Sequence, residues 1–132
     1  MSPANQVRTV ADEIATAEEA LSAARILLGA GNFRSASTRA YYAAFHYALA
    51  LLASRGLQAK THQGVVSMLG QHLVSTGQLP AETARLLSRL QASRHDADYA
   101  ASHVVTRDMT VSDLQDAEAF ITGVKALLAS KP

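Results

Sequence analysis

Cysteine is absent from this 132-residue sequence, which excludes a disulfide framework and any thiolate metal site. Acidic residues are missing from one long stretch: none lies between Glu19 and Glu82. No apolar run approaches the ~18 residues needed to cross a bilayer. The opening MSPANQVRTVADEIATAEEA has no basic-then-apolar leader pattern. Nothing alternates at period two for long enough to make a sheet. HExxH, Walker-type and dinucleotide-type glycine motifs are missing as well. With no linker, repeat or low-complexity segment, the expectation is one cytoplasmic domain over residues 1–132, soluble and without membrane attachment. It is long enough to bury a core unaided.

What is present is helical periodicity. Val10, Ile14, Ala17, Leu21, Ala24 and Leu28 step by four and three, so one stripe of a first helix is buried. Gly31 and Asn32 supply a stop and the next N-cap, and a second helix runs from about Phe33 to Ser54, ended by Gly56. Thr61 is placed to cap a third helix that reaches Ser75. Pro80 suits the first turn of a fourth, with Glu82 near its positive end. SHVVTRDMT reads as a loop, and Thr110 with Asp113 reads as a capping box for a last helix. That helix carries Leu114, Ala117, Ile121, Val124 and Leu128 as its stripe. The fold class expected is all-α, an up-and-down bundle of four to five helices.

Net charge is only +1, but its distribution is uneven. The acid-free stretch holds Arg25, Arg34, Arg39, Arg55, Lys60, His46, His62 and His72, and the acidic residues gather towards the two ends. Acidic terminal helices that pair with a basic middle would explain this. So would a basic face for phosphates or an acidic partner.

The segment RAYYAAFHYALALL, Arg39 to Leu52, raises the central question, because it is apolar almost all round yet carries arginine and histidine. Seven positions are two helical turns, so Arg39 and His46 point within roughly 20° of each other, with Tyr42 on the same side. An arginine buried without an anion costs several kcal/mol, roughly. This stripe must therefore meet a carboxylate or open to a ligand. In RHDADY, Arg94 and Asp98 are four apart and can pair along the fourth helix, or Asp98 can turn to Arg39, with Tyr99 beside it. Either the stripe is a buried network fixing helix two against helix four, or the two helices form an arginine-lined cleft. Helix two is expected to be the most buried element. Gly64 and Gly70 read as close-packing or connection positions, Tyr41, Phe45 and Tyr47 as core or interface aromatics. His62 and His72, taken alone, read as surface or capping residues. His95 and Asp98 share a helical face, which favours a salt-linked helix end over a metal site, and no metal or cofactor is called for.

SASTRAYYAAFHYALALLASRG, KTHQGVVSMLGQHLVSTGQLP and LLSRLQASRHDADY together resemble the small stand-alone prokaryotic HEPN domains (higher eukaryotes and prokaryotes nucleotide-binding). The resemblance covers residues 9 to 129. It implies a compact bundle, a homodimer, and a partner such as a small nucleotidyltransferase in a toxin–antitoxin pair. Active members are metal-independent ribonucleases with an arginine, four to six residues, then histidine. In that chemistry the histidine moves a proton at the ribose 2′-hydroxyl and the arginine steadies phosphate charge. Arg39 and His46 have the spacing. The motif normally lies on the later helix, however, and from Arg94 the positions that should hold histidine are Tyr99, Ala100 and Ala101. His95 is too near and His103 two positions too far.

The candidate catalytic residues are therefore Arg39, His46 and Arg94. The candidate binding residues are Tyr42, Lys60, His62, His95, Asp98 and Tyr99. The leading expectation is a protein that binds RNA, a nucleotide or a nucleotidyltransferase. An active endoribonuclease toxin and a structural or adaptor bundle are the alternatives.

Overall fold

Small side chains on the second helix set the architecture. Ala36, Ala40, Ala43, Ala44, Ala48, Ala50 and Ala53 are all buried, so neighbouring helices can approach it closely on more than one side. The structure, a computed structural model, describes residues 2–99 and 102–130, without the side chains of Ala97 and Tyr99. Among those residues the protein is all α. It comprises α1 (Pro3–Gly29), α2 (Phe33–Ser54), α3 (His62–Leu69), which runs into a π turn at Gly70–Val74, α4 (Ala81–Tyr99) and α5 (Arg107–Ala129).

The start and stop signals have local causes. The Ser2 hydroxyl accepts from the Asn5 amide, and Pro3 opens α1 where its missing N–H is not needed. Gly31 (φ 82°) turns the chain between α1 and α2, and Gly56 (φ 73°) turns it after α2; both conformations suit glycine because it lacks a Cβ. Thr61 caps α3 by accepting from the Gly64 amide at 3.0 Å. The third helical segment reaches the expected end, but its last turn is wound as a π turn.

The start of α5 differs from the sequence reading. Thr106, not Thr110, is the cap, accepting from the Met109 amide at 3.2 Å. Thr110 sits a turn into the helix, fully buried, and its hydroxyl bonds to the Phe33 carbonyl at 3.0 Å and Ser37 Oγ at 2.9 Å. Asp113 is buried too and accepts from Ser93 Oγ at 2.7 Å. Burial pushes its carboxyl up from the ordinary range, against the opposing pull of the Ser93 and Ser37 hydroxyls. This Ser/Thr/Asp group ties α2, α4 and α5 together inside the bundle.

Helix α2 is the central element, as its apolar run implies. Its most extensive packing is against α1, then α5, and only then α4. Ala17, Leu21 and Ala24 of α1 face Ala40, Tyr47, Leu51 and Leu52 of α2 in one cluster, completed by Leu69, Leu73, Leu87, Leu90, Phe120 and Val124. Each fully buried leucine of this cluster contributes about 1.5–3 kcal/mol relative to exposure. The short Ala30–Asn32 connection makes α1 and α2 antiparallel, and their seam carries the polar residues that matter below.

Candidate functional site

Along the α1–α2 seam the second helix presents Arg39, Tyr42 and His46 in sequence. The first helix presents Thr16, Glu19, Ala20 and Ala23 opposite them, and the two banks enclose a groove of about 340 Å³. The stripe inferred from helical spacing therefore exists, but it opens towards α1. The cleft expected between helices two and four is not where it lies.

The three members of the stripe solve their electrostatic problem differently. Arg39 is exposed, and among the described residues no carboxylate pairs with it. Its guanidinium carbon stands 5.2 Å from the centre of the Tyr42 ring, a cation–π arrangement. His46 does meet a carboxylate, from the acidic first helix: its Nδ1 is 2.8 Å from Glu13 Oε2. Facing a carboxylate, Nδ1 is the donor in this contact, which orients the ring and leaves Nε2 outside it. Tyr42 is half-buried between the two.

From the other side, Arg94 of α4 reaches over the same aromatic pair. Its guanidinium carbon is 5.4 Å from the Tyr42 ring and 5.7 Å from the Tyr41 ring. Arg94 Nε lies 3.1 Å from Asp98 Oδ2, although its N–H is not aligned for a hydrogen bond, so the pair is a Coulombic contact. Asp98 thus serves Arg94 and, more weakly at 3.5 Å, the Thr38 hydroxyl. Of the two pairings open to Asp98, the structure shows the one with Arg94; Arg39 is exposed and does not enter the core.

Behind the rings, Tyr41 Oη and His62 Nδ1 are 2.9 Å apart, and His62 stacks on Phe45 with ring centres 6.4 Å apart. Burial, then the Arg94 charge, lowers the His62 imidazole pKa. The Tyr41 phenol is pushed up to about 12, chiefly by burial. His62 is thereby a packing partner of the aromatic pair and does not line the furrow. Lys60 is exposed and lies at the far end of the seam with Glu13, Thr9 and Leu49. His95 is exposed on α4, and the side chain of Tyr99 lies outside the described residues. Among the described residues no three His, Asp or Glu side chains converge as a metal site would require.

The HEPN domain family matches residues 10–128. The chain belongs to the HEPN family. A Methanocaldococcus jannaschii protein, MJ0605, whose name describes it as a candidate toxin, is 38% identical over 115 residues, covering 87% of this chain and 85% of that protein. The UPF0332 protein glr0978 of Gloeobacter violaceus is 41% identical over 103 residues, covering 76% of this chain and 82% of that one. In structure, this HEPN domain resembles TT1696 from Thermus thermophilus, with a TM-score of 0.77 over 89% of this chain and 97% of that one. At 22% identity that likeness speaks for the fold alone.

Glu13, Thr16 and Glu19 are the residues of this candidate site that the sequence reading missed. A signal for them was available. A three-residue turn makes α1 and α2 antiparallel neighbours, so residues about equally far from it on either side must face each other. Glu13 and His46 satisfy that condition. Among the described residues no helix is long and apolar enough to cross a membrane.

Proposed function

We propose that this HEPN protein binds single-stranded RNA in the α1–α2 furrow, as the toxin-like member of a toxin–antitoxin pair. The observation that carries the reading is Arg39: an exposed guanidinium, stacked on Tyr42, at the mouth of a groove and without an acidic partner among the described residues. Such a group suits a backbone phosphate of a single strand. Glu19 on the opposite bank excludes a second phosphate there and offers an acceptor for amino or 2′-hydroxyl hydrogens. The toxin names of the M. jannaschii relatives favour the same direction. The partners that accompany this reading are a second copy of the chain and a small nucleotidyltransferase acting as antitoxin.

The test is titration of a fluorescent single-stranded oligoribonucleotide at several salt concentrations. Arg39→Ala should weaken binding and reduce the slope of log affinity against log salt by about 0.7, one phosphate's share. Equal affinity and equal slope for the two proteins would reject the reading.

Cleavage is a second reading, favoured by the contact between Glu13 and His46. A carboxylate that fixes the imidazole tautomer is the arrangement a general base needs. Here Glu13 would be a positioning residue and His46 the group that takes the 2′-hydroxyl proton. Metal-free cleavage of RNA, lost in His46→Ala while binding persists, would establish it.

A further inference from the structure

Beyond the Arg39 groove, the seam continues. On α1, Glu19, Thr16, Glu13 and Thr9 follow one another at helical spacing down one bank. On α2, Tyr42, His46 and Leu49 do the same in the opposite chain direction. The hydrogen bond between Glu13 and His46 crosses between the banks at 2.8 Å. Past it lies a second pocket of about 170 Å³, lined by Thr9, Glu13, Leu49, Leu57, Ala59 and Lys60, with Gln58 at its rim. Glu13 forms a wall of that pocket, and its histidine partner lines the groove before it. The two hollows therefore follow one another along the same seam, with the contact between Glu13 and His46 between them.

The two ends differ in chemistry. At one end a guanidinium stands over a tyrosine ring. At the other, Leu49, Leu57 and Ala59 form an apolar floor edged by acceptors at Glu13 and Thr9, by the Gln58 amide, and by the exposed Lys60 ammonium. A space of this size is below that of ordinary small-molecule sites. It has room for one flat ring with hydrogen-bonding edges, and the lysine beside it suits the phosphate attached to such a ring. Arg39 and Leu49 are ten residues apart on α2, about 15 Å along the helix. At roughly 3.4 Å per nucleotide this is about four stacked nucleotides.

We infer that the pocket bounded by Thr9, Leu49, Leu57 and Lys60 is a base subsite, so that the furrow takes a short single-stranded segment of about four nucleotides rather than a free mononucleotide. The strand runs from a phosphate at Arg39, past the bridge between Glu13 and His46, to a base lodged on Leu49 and Leu57 with its phosphate at Lys60. This inference rests on the RNA-binding reading and gives it a length and a second anchor.

The experiment measures binding of mono-, di-, tetra- and hexaribonucleotides to the full chain and to three variants. Thr9→Phe fills the pocket from the surface of α1, Lys60→Ala removes the exposed ammonium, and Arg39→Ala removes the first anchor. Affinity should climb from di- to tetranucleotide and then level off. Thr9→Phe should weaken the tetranucleotide about tenfold, the share of one base's contacts, Lys60→Ala should weaken it and lower the salt slope by about 0.7, one phosphate's share, and both should leave the dinucleotide unchanged. Arg39→Ala should weaken both. Thermal melts of each variant matching the parent protein establish that the folds are intact. If Thr9→Phe and Lys60→Ala bind the tetranucleotide like the parent while Arg39→Ala weakens it, the subsite is wrong and the RNA reading stands. If no length binds, both fall together.

Discussion

Glu13 and His46 join the first helix to the second across their seam, with Oε2 and Nδ1 2.8 Å apart and each side chain 25% exposed. A partly shielded contact of this kind contributes more than a surface ion pair. Glu13→Ala and His46→Ala should each lower the unfolding free energy by about 1 kcal/mol. The double variant should fall short of the sum by about 0.5–1 kcal/mol. Denaturant unfolding of the four proteins measures the coupling, and a value near zero would show that the contact does not hold the seam.

Arg94 and Asp98 form the other polar pair, with side chains 21% and 29% exposed. Asp98→Asn leaves a guanidinium over two tyrosine rings without its carboxylate, and should destabilise the fold by about 1 kcal/mol. Arg39→Ala should change stability by less than about 0.5 kcal/mol, because an exposed side chain is removed. Thermal melts of the two variants side by side separate these roles; a large loss for Arg39→Ala would mean that Arg39 is structural after all.

The two threonines near the start of α5 should behave differently for a stated reason. Thr106→Ala removes a helix cap, with an expected loss of about 1 kcal/mol. Thr110→Val keeps the shape of a buried side chain but removes the hydroxyl that bonds to the Phe33 carbonyl and Ser37 Oγ, with an expected loss of about 1–3 kcal/mol. Chemical unfolding of both variants tests the order, and a harmless Thr110→Val would contradict the buried network.

Alkaline pH should weaken the protein through two buried phenols. Burial pushes Tyr41 up to about 12, and burial with the Glu18 carboxylate does the same for Tyr47, whose hydroxyl donates to Glu18 at 2.9 Å. A phenol that holds its proton more tightly when folded contributes its full stabilisation below pH 10 and loses it as the pH rises to about 12. The melting temperature should therefore drop across that window, and less steeply in Tyr47→Phe. Tyrosinate absorbance titrating entirely near pH 10 would contradict the shift.

The helices were largely legible in the residues because Ala17, Leu21 and Ala24, or Ala117, Ile121 and Val124, repeat at the spacing a buried stripe requires. The polar stripe on α2 was legible for the same geometrical reason. Its surroundings were not, because which helix covers a face depends on how the chain turns, and the acid facing His46 is thirty-three residues away. For Arg39 the helical spacing leaves two outcomes open, a carboxylate in a buried network or an opening to a ligand. Its actual neighbours across the seam include the short side chains of Ala20 and Ala23, which leave the guanidinium open to water. Thr110 was read as a cap because TVSD has the form of one. Thr106, a full turn earlier, satisfies the same local chemistry, and only the tertiary position of Phe33 decides between them.

The hairpin of α1 and α2 also bears on the order in which the bundle assembles. Its helices are joined by three residues, so the entropy lost in closing that loop is small. The contacts of α5 with α2 are of the opposite kind: Ser37 and Thr110 meet across seventy-three positions of chain. Local pairing can form early and the distant clasp only late. The last helix to arrive is then the one whose loss exposes Phe120, Ile121 and Val124 together with the alanine face of α2. Brief departures of α5, rather than global unfolding, should set how often that surface becomes available for proteolysis or for sticking to another chain.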